Sequence, residues 1–481
     1  MSKLAKEMSW YTFGGILPGF ASFLLIPIYT RYLTPADYGI LASMAVLHSI
    51  ASLVFILAID RSVSRFYFDH KTESDQKNYF GTISISIFLT STFMFLILIF
   101  LNKYVTKIFE SIDFFPFFLL AFLISYFATF SRIPMIYLRL IGKAKTYVLI
   151  SLGQFSLRMV LKIFFVVVLL KGVYGALLGG LIANIVFFFI FIYISTKISN
   201  FTFDKNILIH SLKFSLPMLP VILSAFIIDF SDRIFLEKYT SLSDLGIYSL
   251  GISIAGVVFI FSNSFNKAFD PVFYRIANSS DPISQRKNIL SSYLNNYLHY
   301  ILFICFSLAL FSREVIAILA DKSFHEAYII TMIFSLSYVL LFSSSVFNMM
   351  IYQQKKSNYV MYSTFIAAPC NIILNFLLIP EYGIYGAGIT TILSFLISFS
   401  VKFYFAKKCF YVPLNWSKHL MVLLILIGIT IFCYYYLLNQ SIFISLITKS
   451  GVFLLLLISL FRKITLTFLE SVRNRTFTLV E

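Results

Sequence analysis

Long apolar runs separated by short polar segments occupy the chain from its ninth residue almost to its end. A hydrocarbon core about 30 Å thick is crossed by a helix of about 20 apolar residues. A window of that length finds fourteen runs, at residues 9–32, 38–59, 80–101, 114–137, 147–170, 174–195, 214–236, 244–265, 293–311, 327–350, 357–378, 383–404, 418–437 and 441–461. The last run is the weakest, because Lys449 interrupts it. The pattern predicts an all-α integral membrane protein with about fourteen transmembrane helices.

Composition and charge agree with this pattern. Of the 481 residues, 59% are hydrophobic and 12% are charged, which is more apolar than a soluble globular protein of this size requires. The net charge of +17 would suggest nucleic acid as a partner of a soluble chain. With both termini placed in the cytoplasm, however, 26 Lys and Arg fall in cytoplasmic segments and 8 in external ones. This bias is typical of membrane proteins, so we predict a multi-pass protein with cytoplasmic termini and no nucleic-acid partner.

Two short motifs each occur twice. RYLTPADYGIL at 31–41 matches KYTSLSDLGIY at 238–248, and GVYGA at 172–176 matches GIYGA at 383–387. The offsets are 207 and 211 residues. Parallel repeats of several spans are typical of transporters built from two similar halves. We expect the repeated Gly and Asp to shape turns and to let helices approach closely.

The repeats predict two six-helix lobes related by a pseudo-two-fold axis. Spans 1–6 form the first lobe at residues 1–200, and spans 7–12 form the second at 201–410. Spans 13 and 14, with a cytoplasmic tail, occupy 411–481 and have no counterpart in the repeat.

Three segments resemble one known family. They are SWYTFGGILPGFASFLLIPIYTRYLTPADYGILA near the N-terminus, IDRSVSRFYF at 59–68, and the pair GVYGA and GIYGA. Together they resemble the polysaccharide-exporter (O-antigen flippase) family, a branch of the multidrug/oligosaccharidyl-lipid/polysaccharide flippase superfamily. The resemblance extends over nearly the whole chain.

This resemblance implies a function as well as a fold. Members have two six-helix bundles that open alternately to the two sides of the bacterial inner membrane. The implied cargo is an undecaprenyl-diphosphate-linked oligosaccharide, an O-antigen or capsule repeat unit, which moves from the cytoplasmic to the periplasmic leaflet. A polysaccharide polymerase and a chain-length regulator are the partners that this implies.

Span 5 carries the most polar face within the membrane. Gln154, Arg158 and Lys162 are spaced by four residues and therefore lie on one side of a helix. Arg158 lies about 16 Å from the inner end of the span at 1.5 Å per residue, close to the midplane. Charged residues at that depth are functional candidates by default. The equivalent stretch of span 11 carries no cation.

This asymmetry suggests a cationic cavity wall for a diphosphate. Arg grips phosphate oxygens with a bidentate fork, and Lys acts as a point charge. The alternative is a buried ion pair with an acidic residue of a neighbouring helix. Arg132, near the inner end of span 4, and Arg233, in span 7, are further candidates for the same wall.

Span 7 also carries Asp229 and Asp232. Asp229 and Arg233 are four residues apart, which favours an ion pair within the helix. Alternatively, Asp229 or Asp232 binds a coupling ion, H⁺ or Na⁺, as carboxylates do in transporters. Because an ordinary imidazole titrates near neutral pH, His48 in span 2 is a third coupling candidate, although a lone histidine is more often satisfied by a neighbouring residue.

A group of basic residues lies at the inner ends of spans 2 and 8. It comprises Arg61, Arg65, Lys267 and Arg275. One interpretation is a cytoplasmic vestibule that first captures the diphosphate. The other is a set of anchors for anionic lipid headgroups.

Two further functions compete with the flippase. A multidrug and toxin extruder on the same fold usually exports cations and would need unpaired acids, whereas the deep acids here lie beside Arg233. A membrane polymerase or ligase would need a sizeable external loop, and every predicted external loop is about 15 residues or shorter. The chain also has no phosphate-binding loop, metal-ligand motif or nucleophile–base arrangement. We therefore expect no enzyme activity, no cofactor and no metal, with transport driven by an ion gradient or by consumption of the product.

Overall fold

The computed structural model describes residues 10, 14, 17–19 and 23–459, apart from the side chains at positions 264, 267, 268 and 459. The described part of the chain is helical and contains no β-strand. In order, its α-helices are α1 Ile26–Tyr32, α2 Pro35–Ile56, α3 Asp60–Phe66, α4 Glu73–Phe100, α5 Asn102–Val105, α6 Leu119–Thr129, α7 Arg132–Leu140, α8 Ala144–Ile163, α9 Gly172–Ile198, α10 Lys205–Ser215, α11 Leu219–Tyr239, α12 Leu242–Ala255, α13 Val257–Ala277, α14 Ile283–Leu310, α15 Ser312–Leu319, α16 Ala327–Gln353, α17 Asn358–Lys407, α18 Trp416–Leu437 and α19 Ile442–Ser459. Two π-helical turns adjoin them, Phe114–Phe118 before α6 and Phe164–Val168 after α8.

The described residues contain eleven helices that are long and apolar enough to cross a membrane. They cover twelve of the predicted spans, because α17 has 50 residues and is broken at Gly383. The stretch Ile442–Ile458 is a shorter apolar helix at the place of the fourteenth span. The first span, 9–32, is only partly described. The multi-pass helical class is confirmed, while the total of fourteen helices and the repeat relation stay predictions.

Both copies of the first repeated motif begin a helix in the same way. At the start of α2 the Thr34 hydroxyl accepts a hydrogen bond from the Asp37 N–H at 3.2 Å, and the Asp37 carboxylate accepts one from the Thr34 N–H at 2.9 Å. At the start of α12, Ser241 and Asp244 make the same reciprocal pair at 3.1 and 3.2 Å. Each pair satisfies N–H groups that a helix start leaves without a partner.

The glycines of the same two motifs bring these helix starts into backbone contact. A Cβ on Gly39 would collide with the carbonyl oxygen of Leu242, and a Cβ on Gly246 would collide with the carbonyl oxygen of Pro35. Each helix therefore presents a glycine to the backbone of the other. This geometry gives the repeated Gly a packing role.

The second repeated motif forms a sharp turn between helices. Its first glycine has a positive φ of 53° in both copies, Gly172 and Gly383, a conformation that residues with a Cβ rarely adopt. The next glycine of each copy, Gly175 or Gly386, lies against the backbone of the helix that precedes the turn. In α17 this turn separates the two predicted spans 357–378 and 383–404.

Helices α8 and α9 pack closely through a second glycine one turn further along. A Cβ on Gly179 would lie 2.8 Å from the backbone nitrogen of Lys162. Gly175 and Gly179 form a Gly-x-x-x-Gly pattern, which allows helix backbones to approach in membranes. The cationic face of α8 is thus held directly against α9.

The chain divides into two compact units. Unit 1 consists of Met1–Ser249 with Ile372–Ala387, and unit 2 consists of Leu250–Asn371 with Gly388–Glu481. The apolar core of unit 1 includes fully buried aromatic side chains of α2, α4 and α6, such as Phe55, Phe80 and Phe122. The proposed lobe boundaries at 200 and 410 stay a prediction.

A buried ion pair within unit 2 explains the interruption of the last apolar run. Lys449 on α19 donates to both carboxylate oxygens of Glu314 on α15 at 2.9 Å. The two residues are 5% and 2% exposed, and Ser445 donates to the same carboxylate at 2.5 Å. Lys449, which interrupts the apolar run of span 14, therefore links α19 to α15 through this ion pair.

Replacing Gly179 with Ala is expected to destabilise the protein by about 1–3 kcal/mol, because an added Cβ overpacks a contact with backbone that cannot rotate away. Thermal unfolding of the detergent-purified protein measures the change. Gly428→Ala in α18 is the matched control, since nothing lies within 4 Å of its Cβ position. The control should unfold at the wild-type temperature or slightly above it. Equal unfolding temperatures for the two variants would contradict the packing described for α8 and α9.

Replacing Lys449 with Met should destabilise unit 2 by about 3–5 kcal/mol, because it leaves the buried Glu314 carboxylate without its cation. Glu314→Gln combined with Lys449→Met should recover much of this loss. Lys402→Met is the control, because Lys402 is also buried, 8% exposed, but donates to the neutral Ser344 hydroxyl at 3.2 Å. Thermal unfolding of the purified variants measures these losses of stability. A larger loss for Lys402→Met than for Lys449→Met would contradict the assignment of Lys449 and Glu314 as a buried ion pair.

Candidate functional site

The cationic face of α8 is tied to α9 by one asparagine. Arg158 Nη2 donates to Asn184 Oδ1 at 3.1 Å, and Gln154 Nε2 donates to the same oxygen at 3.3 Å. Asn184 Nδ2 in turn donates to the backbone carbonyl of Ile124 on α6 at 3.0 Å. Arg158 and Gln154 thus lie together on one face, as the sequence predicts, and Asn184 links three helices of unit 1.

Arg158 and Lys162 have no acidic partner among the described residues. The ion pairs found there number four: Arg65–Asp69, Lys77–Glu73, Arg233–Asp232 and Lys449–Glu314. The Arg158 Nε atom is buried without a hydrogen-bond partner. The alternative of a buried ion pair with a neighbouring helix is therefore not what the described residues form. Neither cation is therefore compensated by a carboxylate among these residues.

A cavity of about 390 Å³ adjoins these two cations. Its wall combines Arg158 and Lys162 with the apolar and aromatic side chains of Tyr29, Phe155 and Met159. Charged groups beside an apolar wall are poorly screened, so an anion in this space would interact with them more strongly than in water.

A second, polar cavity of about 380 Å³ lies along the preceding turns of α8. Its polar wall includes Arg61, Arg132, Arg139, Asp60, His48 and Gln154. Three guanidinium groups face this space against one carboxylate. The remaining polar wall consists of hydroxyl groups, which suit hydrogen bonding to a sugar.

A strained turn precedes Asp60 and Arg61, two of the residues that line this cavity. Leu57 and Ala58, after the end of α2, have positive φ values of 49° and 56°, which are unfavourable for residues with a Cβ. Backbone strain of this kind concentrates at functional sites. Here it redirects the chain from α2 into α3, where Asp60 and Arg61 line the cavity.

His48 has a hydrogen-bonding neighbour. Its Nδ1 lies 2.8 Å from Ser125 Oγ, and the Ser125 hydroxyl donates to the Ala121 carbonyl at 2.7 Å. Because that hydroxyl proton is used, the network assigns the donor role to Nδ1. His48 is therefore satisfied by a neighbour while it lines the polar cavity.

The predicted ion pair between Asp229 and Arg233 is wrong. Arg233 Nη1 instead pairs with Asp232 Oδ1 at 3.2 Å and donates to the backbone carbonyl of Asp229 at 2.7 Å. Tyr248 donates its hydroxyl proton to the other oxygen of Asp232. Asp232 thus accepts from both Arg233 and Tyr248, and Arg233 contacts only the backbone carbonyl of Asp229.

The coupling candidates on α11 therefore differ in their surroundings. Asp232 is buried, 4% exposed, and fully engaged. Asp229 is exposed, and its carboxylate makes no hydrogen bond or ion pair among the residues that the structure describes.

Two of the four predicted vestibule residues have different surroundings within unit 1, and the vestibule stays a prediction. Arg61 lines the polar cavity, whereas the exposed Arg65 pairs with Asp69 at 3.3 Å. Arg275 is an exposed residue of α13 in unit 2. The side chain of Lys267 lies outside the described residues.

Sequence reasoning missed Asn184, Asp60 and Arg139. Arg139 follows the end of predicted span 4, and the structure places it at the wall of the polar cavity. Asn184 is a solitary amide in the apolar run LLGGLIANIVFFF. A lone polar residue inside an apolar span was the available signal, since such residues usually bond across helices.

Comparison with known proteins places the chain in a family. The family model for "Polysaccharide biosynthesis protein" matches residues 28–329. Lsg locus putative protein 1 of Haemophilus influenzae is 26% identical over 297 residues, which cover 59% of this chain and 69% of that relative. Capsular polysaccharide biosynthesis protein CapF of Staphylococcus aureus is 26% identical over 178 residues, 37% of this chain and 45% of that relative.

Solved structures define the fold. The chain resembles the lipid II flippase MurJ in an inward closed conformation, with a TM-score of 0.71, 16% identity and coverage of 98% and 99% of the two chains. It also resembles the Vibrio cholerae MATE transporter VcmN, with a TM-score of 0.57, 15% identity and coverage of 84% and 96%. These neighbours of like fold are transporters and flippases. The chain is a multi-pass membrane protein that belongs to the polysaccharide biosynthesis protein family.

Proposed function

We propose that this protein is a flippase for a polyprenyl-diphosphate-linked oligosaccharide, an O-antigen or capsule repeat unit, in the bacterial inner membrane. One observation carries the proposal: Arg158 and Lys162, on a helix long and apolar enough to span a membrane, line one cavity and have no carboxylate partner among the described residues. Family membership and the likeness in fold to a lipid II flippase support it.

The chemistry of the two cavities fits the two parts of such a cargo. The diphosphate meets Arg158 and Lys162 beside an apolar wall, where a bidentate guanidinium contact and a point charge act together. The sugar occupies the neighbouring polar cavity, where amide, hydroxyl and imidazole groups replace water. The prenyl chain stays in the lipid. Alternating access of the two predicted lobes then exposes the site to the periplasmic side, with both termini remaining in the cytoplasm.

Asp229 is the residue that we assign to ion coupling. Its carboxylate is exposed and unengaged among the described residues, whereas Asp232 is held by Tyr248 and Arg233. A carboxylate that binds H⁺ or Na⁺ must be able to exchange its ligand, and Asp229 meets that requirement. The free acid is also the one observation that favours the alternative, a cation antiporter of the multidrug extrusion type.

Replacing Arg158 or Lys162 with Ala should lower export about 10- to 100-fold, because each change removes an interaction with a charged group worth about 1.5–3 kcal/mol. The measurement is surface polysaccharide in a strain that lacks its own flippase, normalised to protein in the membrane. Lys162→Arg should retain part of the activity. Arg65→Ala is the control, because that exposed arginine pairs with Asp69 and lies outside both cavities.

Full complementation by both alanine variants at normal protein levels would reject the site. Export of a cationic dye by the wild-type protein would instead favour the antiporter. We expect no such export, since three cavity guanidinium groups and Lys162 repel cations.

Asp229→Asn should leave the protein folded but make its transport insensitive to collapse of the ion gradient, with a lower rate. Asp232→Asn should mainly lower the unfolding temperature, because Arg233 and Tyr248 lose a charged partner. Uptake into inverted membrane vesicles, with and without an ionophore, measures the first effect. Wild-type gradient sensitivity in Asp229→Asn would exclude this residue from coupling.

A further inference from the structure

Asn184 gives the Arg158 guanidinium of α8 a neutral hydrogen-bond partner instead of a carboxylate. We propose that Asn184 is a positioning residue that fixes the Arg158 guanidinium while leaving its positive charge uncompensated and available to an anionic cargo. The inference rests on the proposed function in one respect, namely that Arg158 meets the diphosphate.

The orientation of the Asn184 amide is fixed on both sides. Its oxygen accepts from Arg158 at 3.1 Å and from Gln154 at 3.3 Å, and its nitrogen donates to the Ile124 carbonyl at 3.0 Å. The flipped amide would place N–H groups against two donors and an oxygen against a carbonyl, so the network admits one orientation. With 2% exposure, Asn184 has no water to replace these partners.

The bonds use a small part of the donor capacity of Arg158. A guanidinium carries five N–H donors and no acceptor. Nη2 supplies the bond to Asn184, and Nε is buried without a hydrogen-bond partner. The guanidinium is thus held through one nitrogen. Its other N–H donors remain for phosphate oxygens in the cavity that Arg158 lines.

A carboxylate at this position would bind Arg158 more strongly. An aspartate has nearly the same shape and would convert the bond from Arg158 into an ion pair, although it would lose the bond that the Asn184 amide donates to the Ile124 carbonyl. It would also cancel the charge of Arg158, leaving the site to attract a diphosphate through Lys162 alone. Arg158 differs in this respect from the buried Lys449, which is paired with Glu314. An amide at position 184 therefore fixes the position of Arg158 without neutralising its charge.

Gln154 makes this idea testable by charge compensation. Its amide nitrogen lies 3.3 Å from the Asn184 oxygen, so a lysine at 154 would reach a carboxylate introduced at 184. Such a pair would free the Arg158 charge again. A role limited to packing gives no reason for this compensation.

The experiment compares Asn184→Asp, Asn184→Ala and the double variant Asn184→Asp with Gln154→Lys. Each is scored for surface polysaccharide in the flippase-null strain at matched protein level, and for unfolding temperature after purification in detergent. We expect Asn184→Asp to export at least about tenfold less than the wild type, the loss of one charge-assisted contact, although it keeps a bond to Arg158 that Asn184→Ala loses. Asn184→Ala should be less stable and export more than Asn184→Asp. The double variant should regain export.

Two results would overturn the inference. One is wild-type export by Asn184→Asp, and the other is an export loss that follows unfolding temperature across the series without recovery in the double variant. Arg158→Ala, measured alongside, separates this failure from failure of the proposed function. If Arg158→Ala exports normally, the diphosphate site itself is wrong; if it does not export while Asn184→Asp does, only the role of Asn184 is wrong.

Discussion

A positive charge inside the hydrocarbon region can stay unpaired only if neutral groups hold it. Placing such a charge at the centre of a membrane helix costs roughly 2.5–3.5 kcal/mol on insertion scales, and the cost falls when polar groups of the protein replace water. In this chain that role belongs to the amide of Asn184, which also bonds Gln154 and the backbone of α6. The arrangement keeps the charge of Arg158 and restricts its motion. The proposed site for the diphosphate depends on it.

Glycine supplies the geometry that this interaction needs. Because Gly179 brings the α9 backbone next to the backbone of Lys162, an asparagine side chain one turn further along α9 is long enough to reach the guanidinium. With larger residues at this contact, α8 and α9 would lie further apart, and the short amide would no longer span the gap. Close packing and electrostatics are therefore linked in this part of unit 1: the same approach that buries apolar surface also sets the hydrogen-bond distance.

Much of the fold follows from the sequence, because apolar run length and glycine-containing motifs are local signals. Twelve of the predicted spans coincide with described helices, and the spacing of Gln154, Arg158 and Lys162 predicts their common face. Contacts between residues distant in sequence could not be predicted from such local signals. Lys449 and Glu314 are 135 residues apart, so the lysine alone could only weaken the prediction of span 14. Helix spacing favours Asp229 as the ion-pair partner of Arg233. The observed partner is Asp232, which also accepts a hydrogen bond from Tyr248 on the next helix. Asn184 gave too little local signal to be connected with Arg158.

The contact between the starts of α2 and α12 has an evolutionary consequence. The atoms that would collide with a side chain at Gly39 or Gly246 are carbonyl oxygens of Leu242 and Pro35, and every amino acid carries the same carbonyl. No replacement at position 242 or 35 makes room for an added methyl group. A lineage that loses either glycine can recover only by reversion or by displacement of an entire helix. In an alignment of relatives these two glycines should therefore vary little, and without the paired exchanges that link contacting side chains.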